Sequence, residues 1–205
     1  MKTLVVTYLP RGEQSYTKKL VDAFLDIVDP QNVEVIDLLQ DMPDVFTQEC
    51  LEAYTQRNYM GQKLDAAHQK AIAKMDRMAA QFKAAEVVVI ASPMHNFSLP
   101  ALTKAYFDSV MLKGVTWDIL EGGKFAGLMT GKKALILLAS GGVYEGAMAS
   151  WDHAVSLAKL EFQFMGFSDI RAVTAAGMNA GKRKPEEIVA EAQEKVRAIV
   201  GEWYS

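Results

Sequence analysis

Two short segments without a single polar residue constrain this chain most: Val87-Val88-Val89-Ile90-Ala91 and Ala134-Leu135-Ile136-Leu137-Leu138-Ala139. Each has the length of one strand, and neither alternates. A strand with one wet face alternates apolar and polar residues, so these two require cover on both faces. They sit in the runs Glu86 to Ala91 and Lys133 to Ala139. Three further β-branched runs accompany them, Lys2 to Tyr8, Val33 to Leu38 and Ile170 to Ala175.

Helical patterns fill the gaps. Leu64, His68, Ile72, Met75, Ala79 and Phe82 recur three or four residues apart, as do Trp151, Val155, Ala158, Phe162 and Met165, and again Ile188, Ala192, Val196, Ile199 and Trp203. Thr17 to Val28 and Pro100 to Met111 also suit helices. Pro100 and Pro185 stand at helix starts, where proline is tolerated. Strands alternating with helices imply a parallel sheet with right-handed crossovers. Five such units predict an α/β, doubly wound five-stranded sheet in the order 2-1-3-4-5, with helices on both faces. With 205 residues and no linker or repeat, a single domain over 1–205 is expected. Gln40 to Gly61 reads as an excursion carrying a short helix near Gln48 to Tyr59, and Gly114 to Thr130 reads as a long loop.

Composition narrows the function classes. The net charge of −3 offers no basic excess for nucleic acid. One cysteine, Cys50, forbids an internal disulfide and suits a reducing compartment. The start of the chain has no signal-type apolar core, and no apolar run approaches the ~20 residues of a membrane helix. A soluble, cytoplasmic protein without membrane contact is expected. The three histidines lack metal-ligand spacing, so no metal site is expected; His68 reads as a packed helix residue and His153 as a surface one.

In this topology ligands bind beyond the carboxyl ends of the strands, where the strand order reverses. That rule selects three loops. In the first, Leu9 to Thr17, Ser15 and Thr17 are hydroxyl residues at a helix start, where unpaired N–H groups and the helix dipole favour an anion. Arg11 adds charge. The same Ser15 also suits plain helix capping. In the second, Ser92 to Pro100, two prolines stiffen a turn that displays Met94, His95, Asn96 and Phe97. Apolar walls with a few fixed backbone groups suit a flat heteroaromatic ring; the alternative is a connecting loop whose Met and Phe join the core. In the third, Ala139 to Tyr144, Gly141 and Gly142 allow close backbone approach, although Gly-Gly is also an ordinary turn signal. No GxGxxG or Walker A pattern is present.

Together these loops resemble the FMN-dependent NADH-azoreductases, the bacterial branch of the flavodoxin-like quinone reductases. The segments SPMHNFSLPALTKAYFDSV, GVTW and GLMTGKKALILLASGG carry the resemblance, which runs over essentially the whole chain and is strongest from Val87 to Gly142. It implies a phosphate loop at Ser15, Tyr16 and Thr17, an isoalloxazine-lining loop at Pro93, Met94, His95, Asn96 and Phe97, and a pyrimidine-side loop at Ala139, Ser140, Gly141 and Gly142. Tyr144 falls where the family often has histidine near the flavin O2. Leu9, His95 and Ser140 replace a frequent serine, tyrosine and arginine.

The resemblance further implies FMN as cofactor and NADH or NADPH as co-substrate. It implies ping-pong hydride transfer to quinones and azo compounds, with no side-chain nucleophile, and a homodimer with shared active sites. Trp117, Tyr54 and Tyr59 suit a shared aromatic wall or simple surface-loop packing. Charge building on the N1/C2=O edge of reduced flavin calls for a donor, and Tyr144 with the Gly141 and Gly142 N–H groups is the candidate set. A flavodoxin-type electron carrier and a flavin-free binding or regulatory domain are the rival readings. The long Gln40–Gly61 and Gly114–Thr130 segments argue against the carrier.

Overall fold

The computed structural model describes residues 1–204. Its strands are β1 (Thr3–Thr7), β2 (Val33–Asp37), β3 (Val87–Pro93), β4 (Trp117–Ile119), β5 (Phe125–Gly127), β6 (Lys133–Ser140) and β7 (Asp169–Ala176). Its α-helices are α1 (Tyr16–Leu25), α2 (Gln48–Asn58), α3 (Ala66–Ala84), α4 (Ala101–Val110), α5 (His153–Met165) and α6 (Pro185–Tyr204). The main sheet is parallel throughout, in the order β2-β1-β3-β6-β7. That is the expected 2-1-3-4-5 order once the short β4–β5 pair is set aside.

The apolar runs are explained by which face each residue enters. Val88 and Ile90 of β3, with Ala134, Ile136 and Leu138 of β6, bury into one core against α3, α4 and α5. Val87, Val89 and Ala91, with Leu135 and Leu137, bury into the other against α1 and α6. Period-2 alternation is therefore intact; both destinations are dry. A third, smaller core joins α2 to α3 through Cys50, Tyr54, Ile72 and Met75. The Arg57 guanidinium clips it with a two-pronged ion pair to Asp76 (2.6 and 2.7 Å).

Three expectations need correction. The segment Gly114–Thr130 is not all loop: β4 and β5 pair antiparallel within it. Phe125 packs its ring on Trp117 and on Phe164 of α5, so the hairpin is held from a distant part of the chain. Gly127 permits the contact, since a Cβ there would lie 2.2 Å from the Gly166 nitrogen. Trp151 does not open α5. It ends a short 3₁₀ turn, half exposed, and α5 starts after it because the Asp152 carboxylate accepts from the Ala154 and Val155 N–H groups. Leu64 likewise precedes α3, which Asp65 caps by accepting from the His68 N–H.

Candidate functional site

The carboxyl ends of β1, β3 and β6 converge on a cleft of about 160 Å³. The β1 loop lines it with Arg11, Ser15, Tyr16 and Thr17, and the β3 loop with Pro93, Met94 and His95. The β6 loop contributes Ala139, Ser140 and Gly141. A larger hollow of about 310 Å³ lies at the β7 edge. It is off the point of strand reversal, and its Arg183 and Lys195 are both held by Glu191.

A 3₁₀ turn, Gly12–Gln14, leads the β1 loop into α1. Ser15 is the N-cap, its Oγ accepting from the Lys18 N–H at 3.3 Å. Capping and anion binding are compatible here, because one cap leaves the other first-turn donors without intrahelical partners. Thr17 is fully buried, yet its hydroxyl has no hydrogen-bond partner among the described residues. A buried, unpaired hydroxyl costs about 1–3 kcal/mol, and its place on the cleft wall marks where a polar ligand group would repay that. Arg11 is exposed and has no ion-pair partner among the described residues, which leaves its charge to face an anion.

The β3 loop is a hairpin turn in miniature. The His95 N–H donates to the Ser98 carbonyl and the Ser98 N–H donates to the His95 carbonyl, both at 3.0 Å. The two residues between them, Asn96 (φ 46°) and Phe97 (φ 69°), both occupy the left-handed region, as a type I′ turn demands. Asparagine tolerates that conformation; phenylalanine pays about 1–2 kcal/mol for it. Phe97 is held there from outside. Its ring meets Tyr144 and Trp151 edge-on at 5.9 and 5.5 Å, and its carbonyl accepts from the His153 N–H at 2.9 Å. His95 packs edge-on against Tyr8 at the exit of β1 (5.8 Å).

The β6 loop turns its acceptors away. The Ser140 carbonyl accepts from the Gly177 and Met178 N–H groups, the Gly141 carbonyl from Asn179, and the Gly142 carbonyl from Gly177 and from the Ser140 hydroxyl. In a planar trans peptide the following N–H points the opposite way. The N–H groups of Gly141, Gly142 and Val143 therefore face away from the β7 turn, and they make no hydrogen bond among the described residues. The open side of this loop presents donors and no acceptors.

Asn96, Phe97, Gly142 and Tyr144 do not line the enclosed part of the cleft. Tyr144 and Trp151 pack edge-on against Phe97 instead, and Tyr144 lies over Gly142, where a Cβ would be 3.1 Å from the phenol. Tyr54 and Trp117 are buried in this chain, the Tyr54 hydroxyl accepting from the Lys113 N–H and its pKa pushed up to about 12 by burial. Their rings pack mainly within this chain, as surface-loop packing implies, whereas Tyr59 is exposed. Met178 and Asn179, from the turn after β7, join the cleft unforeseen. Their signal was positional, since that turn also leaves the carboxyl edge of the sheet. Among the described residues no acidic, histidine or cysteine cluster suits a metal, and no helix is long and apolar enough to cross a membrane.

Comparison with known proteins places this geometry. A family model described as a flavodoxin-like fold matches residues 1–200. The chain is 33% identical over 205 residues to the FMN-dependent NADH:quinone oxidoreductase of Azospirillum brasilense, with 97% of each chain covered. The azoreductase of Bacillus anthracis superposes with a TM-score of 0.89 at 27% identity, over 99% of this chain and 100% of that one. An FMN-dependent NADH-azoreductase of Bacillus anthracis, solved in complex with FMN, superposes with a TM-score of 0.87 at 26% identity over the full length of both. By the family model over nearly its whole length and by its identity to curated relatives, the chain belongs to the flavodoxin-like family of FMN-dependent NADH:quinone oxidoreductases and azoreductases.

Proposed function

We propose that this chain works as one flavodoxin-like domain that binds FMN and oxidises NADH or NADPH at the expense of quinones or azo compounds. The observation that carries the reading is the unpaired Thr17 hydroxyl at a helix start, in the same cleft as the unpaired N–H of Gly141 at the head of the donor-only loop. Such a cleft wants a ligand with an anionic end and an acceptor-rich planar end, and FMN has both.

The residues fit that group. Ser15, Tyr16 and Thr17 would hold the phosphate with Arg11. Pro93, Met94 and His95 would flank the ring, with Asn96 and Phe97 as its outer turn. Ala139 to Gly142 would serve its pyrimidine edge. FMN, when bound, supplies the hydride relay from nicotinamide to acceptor in a ping-pong order. The protein's part is to orient, to exclude water from the inner face and to place the Gly141 and Gly142 N–H groups where negative charge develops. Tyr144, packed edge-on against Phe97, would add its hydroxyl to that donor set. A second copy of the chain would complete the open side, which the exposed Tyr59 and Trp151 favour. The protein works in the cytoplasm on small aromatic acceptors.

Purified protein reconstituted with FMN is expected to be yellow, absorbing near 450 nm, and to oxidise NADH with menadione as acceptor. Binding without turnover would leave an electron carrier; no binding would leave a flavin-free domain. Light scattering at micromolar concentration tests the dimer.

A further inference from the structure

We infer that Asn179 is a cofactor-contacting residue of this chain, its carboxamide serving the polar edge of the flavin ring held against Gly141. The inference rests on the FMN reading above and extends it to a residue from the turn after β7, outside the three loops.

The backbone of Asn179 is fixed. Its N–H donates to the Gly141 carbonyl at 2.9 Å, and the turn that carries it is closed by the Ala180 N–H donating to the Gly177 carbonyl at 3.0 Å. The side chain is then directed across Gly141. A Cβ on Gly141 would lie 2.7 Å from Asn179 Nδ2, so the amide occupies the room that the glycine leaves. Asn179 lines the cleft beside Ser140 and Gly141.

The amide has nothing to do inside the protein. An asparagine placed to build a turn hydrogen-bonds its own backbone through Oδ1. Asn179 makes no side-chain hydrogen bond among the described residues, although its turn is closed by backbone bonds alone. A carboxamide offers two donors and an acceptor on one plane. The pyrimidine edge of a flavin alternates carbonyl, N–H and carbonyl, which that plane matches. The donor-only face of Gly141 to Val143 supplies no acceptor for the central N–H; the Asn179 Oδ1 does.

The test uses the apoprotein, FMN titrated by fluorescence quenching, and the two-electron potential of the reconstituted protein. Asn179→Ala is expected to weaken FMN binding threefold to tenfold, the worth of about one net hydrogen bond. Asn179→Asp keeps the size and adds a negative charge beside the reduced ring. It is expected to weaken the reduced form tenfold more than the oxidised form, lowering the potential by about 30 mV. Asn179 is exposed, so neither change threatens the core. An Asn179→Ala affinity within twofold of the wild type overturns the inference. So does a loss equal in both redox states for Asn179→Asp, which marks a turn residue only. Failure of the wild type to bind FMN refutes the functional reading, and this inference with it.

Discussion

Glu161 lies on the inner side of α5, with its side chain 7% exposed and Lys104 Nζ of α4 3.5 Å from Oε1. Asp108 takes the same ammonium, and Glu161 Oε2 has no partner among the described residues. Burial is the largest influence and pushes the carboxyl up to about 7; Lys104 pulls it down and Asp108 pushes it up again. The unfolded chain ionises near 4.5. Below that value both states carry the proton and Glu161 costs nothing. Between about 4.5 and 7 the folded state holds more protons than the unfolded one, so stability falls as pH rises. Above about 7 both are ionised and the slope ends. At 1.36 kcal/mol per pH unit, the accumulated loss is on the order of 3 kcal/mol. Glu161→Gln keeps the shape and removes the charge. It forfeits the ion pair with Lys104, which is 40% exposed and therefore worth less than about 1 kcal/mol. The variant should match the wild type near pH 5 and exceed it by about 2 kcal/mol at pH 8, or roughly 4–8 °C in melting temperature for a chain of this size. Thermal denaturation of both proteins at the two pH values, with FMN at one fixed concentration, reads the difference directly. Equal differences at pH 5 and pH 8, or a variant less stable at pH 8, would refute the account of a charge buried at a cost.

Two further substitutions separate fold from site. Thr17→Val should raise the stability of the apoprotein by about 1 kcal/mol, because it deletes an unpaired buried hydroxyl, while weakening FMN binding about tenfold; urea denaturation and fluorescence titration check the opposite signs, and lower stability with unchanged FMN affinity would show that the hydroxyl serves the fold alone. Phe97→Gly should relieve the left-handed strain and leave the His95–Ser98 turn closed, offsetting the lost ring packing to within about 1 kcal/mol, yet lower kcat/KM for a planar quinone severalfold. Unchanged kinetics would remove Phe97 from the acceptor face.

What could be read from the sequence was what local burial writes into it. Val87 to Ala91 is apolar because alternate residues enter two different cores, and that demand fixes strand, parallel sheet and flanking helices together. The β4–β5 hairpin escaped because its strands are three residues long and its anchor, Phe164, is distant in the chain. Trp151 fitted the helical period but was overruled by Asp152, whose carboxylate caps better than a tryptophan begins. The site shows the same division. Strand ends select loops, so the places of Ser15, Met94 and Gly141 on the cleft wall were legible. Which groups those loops expose depends on register. Ser140 pairs with Ala176, which sets Gly141 beside the turn after β7. That pairing consumes every carbonyl from Ser140 to Gly142, turns the intervening N–H groups outward and brings in Asn179. The chemistry of the third loop is therefore written mostly in the fifth strand of the sheet, a partnership that neither segment displays by itself.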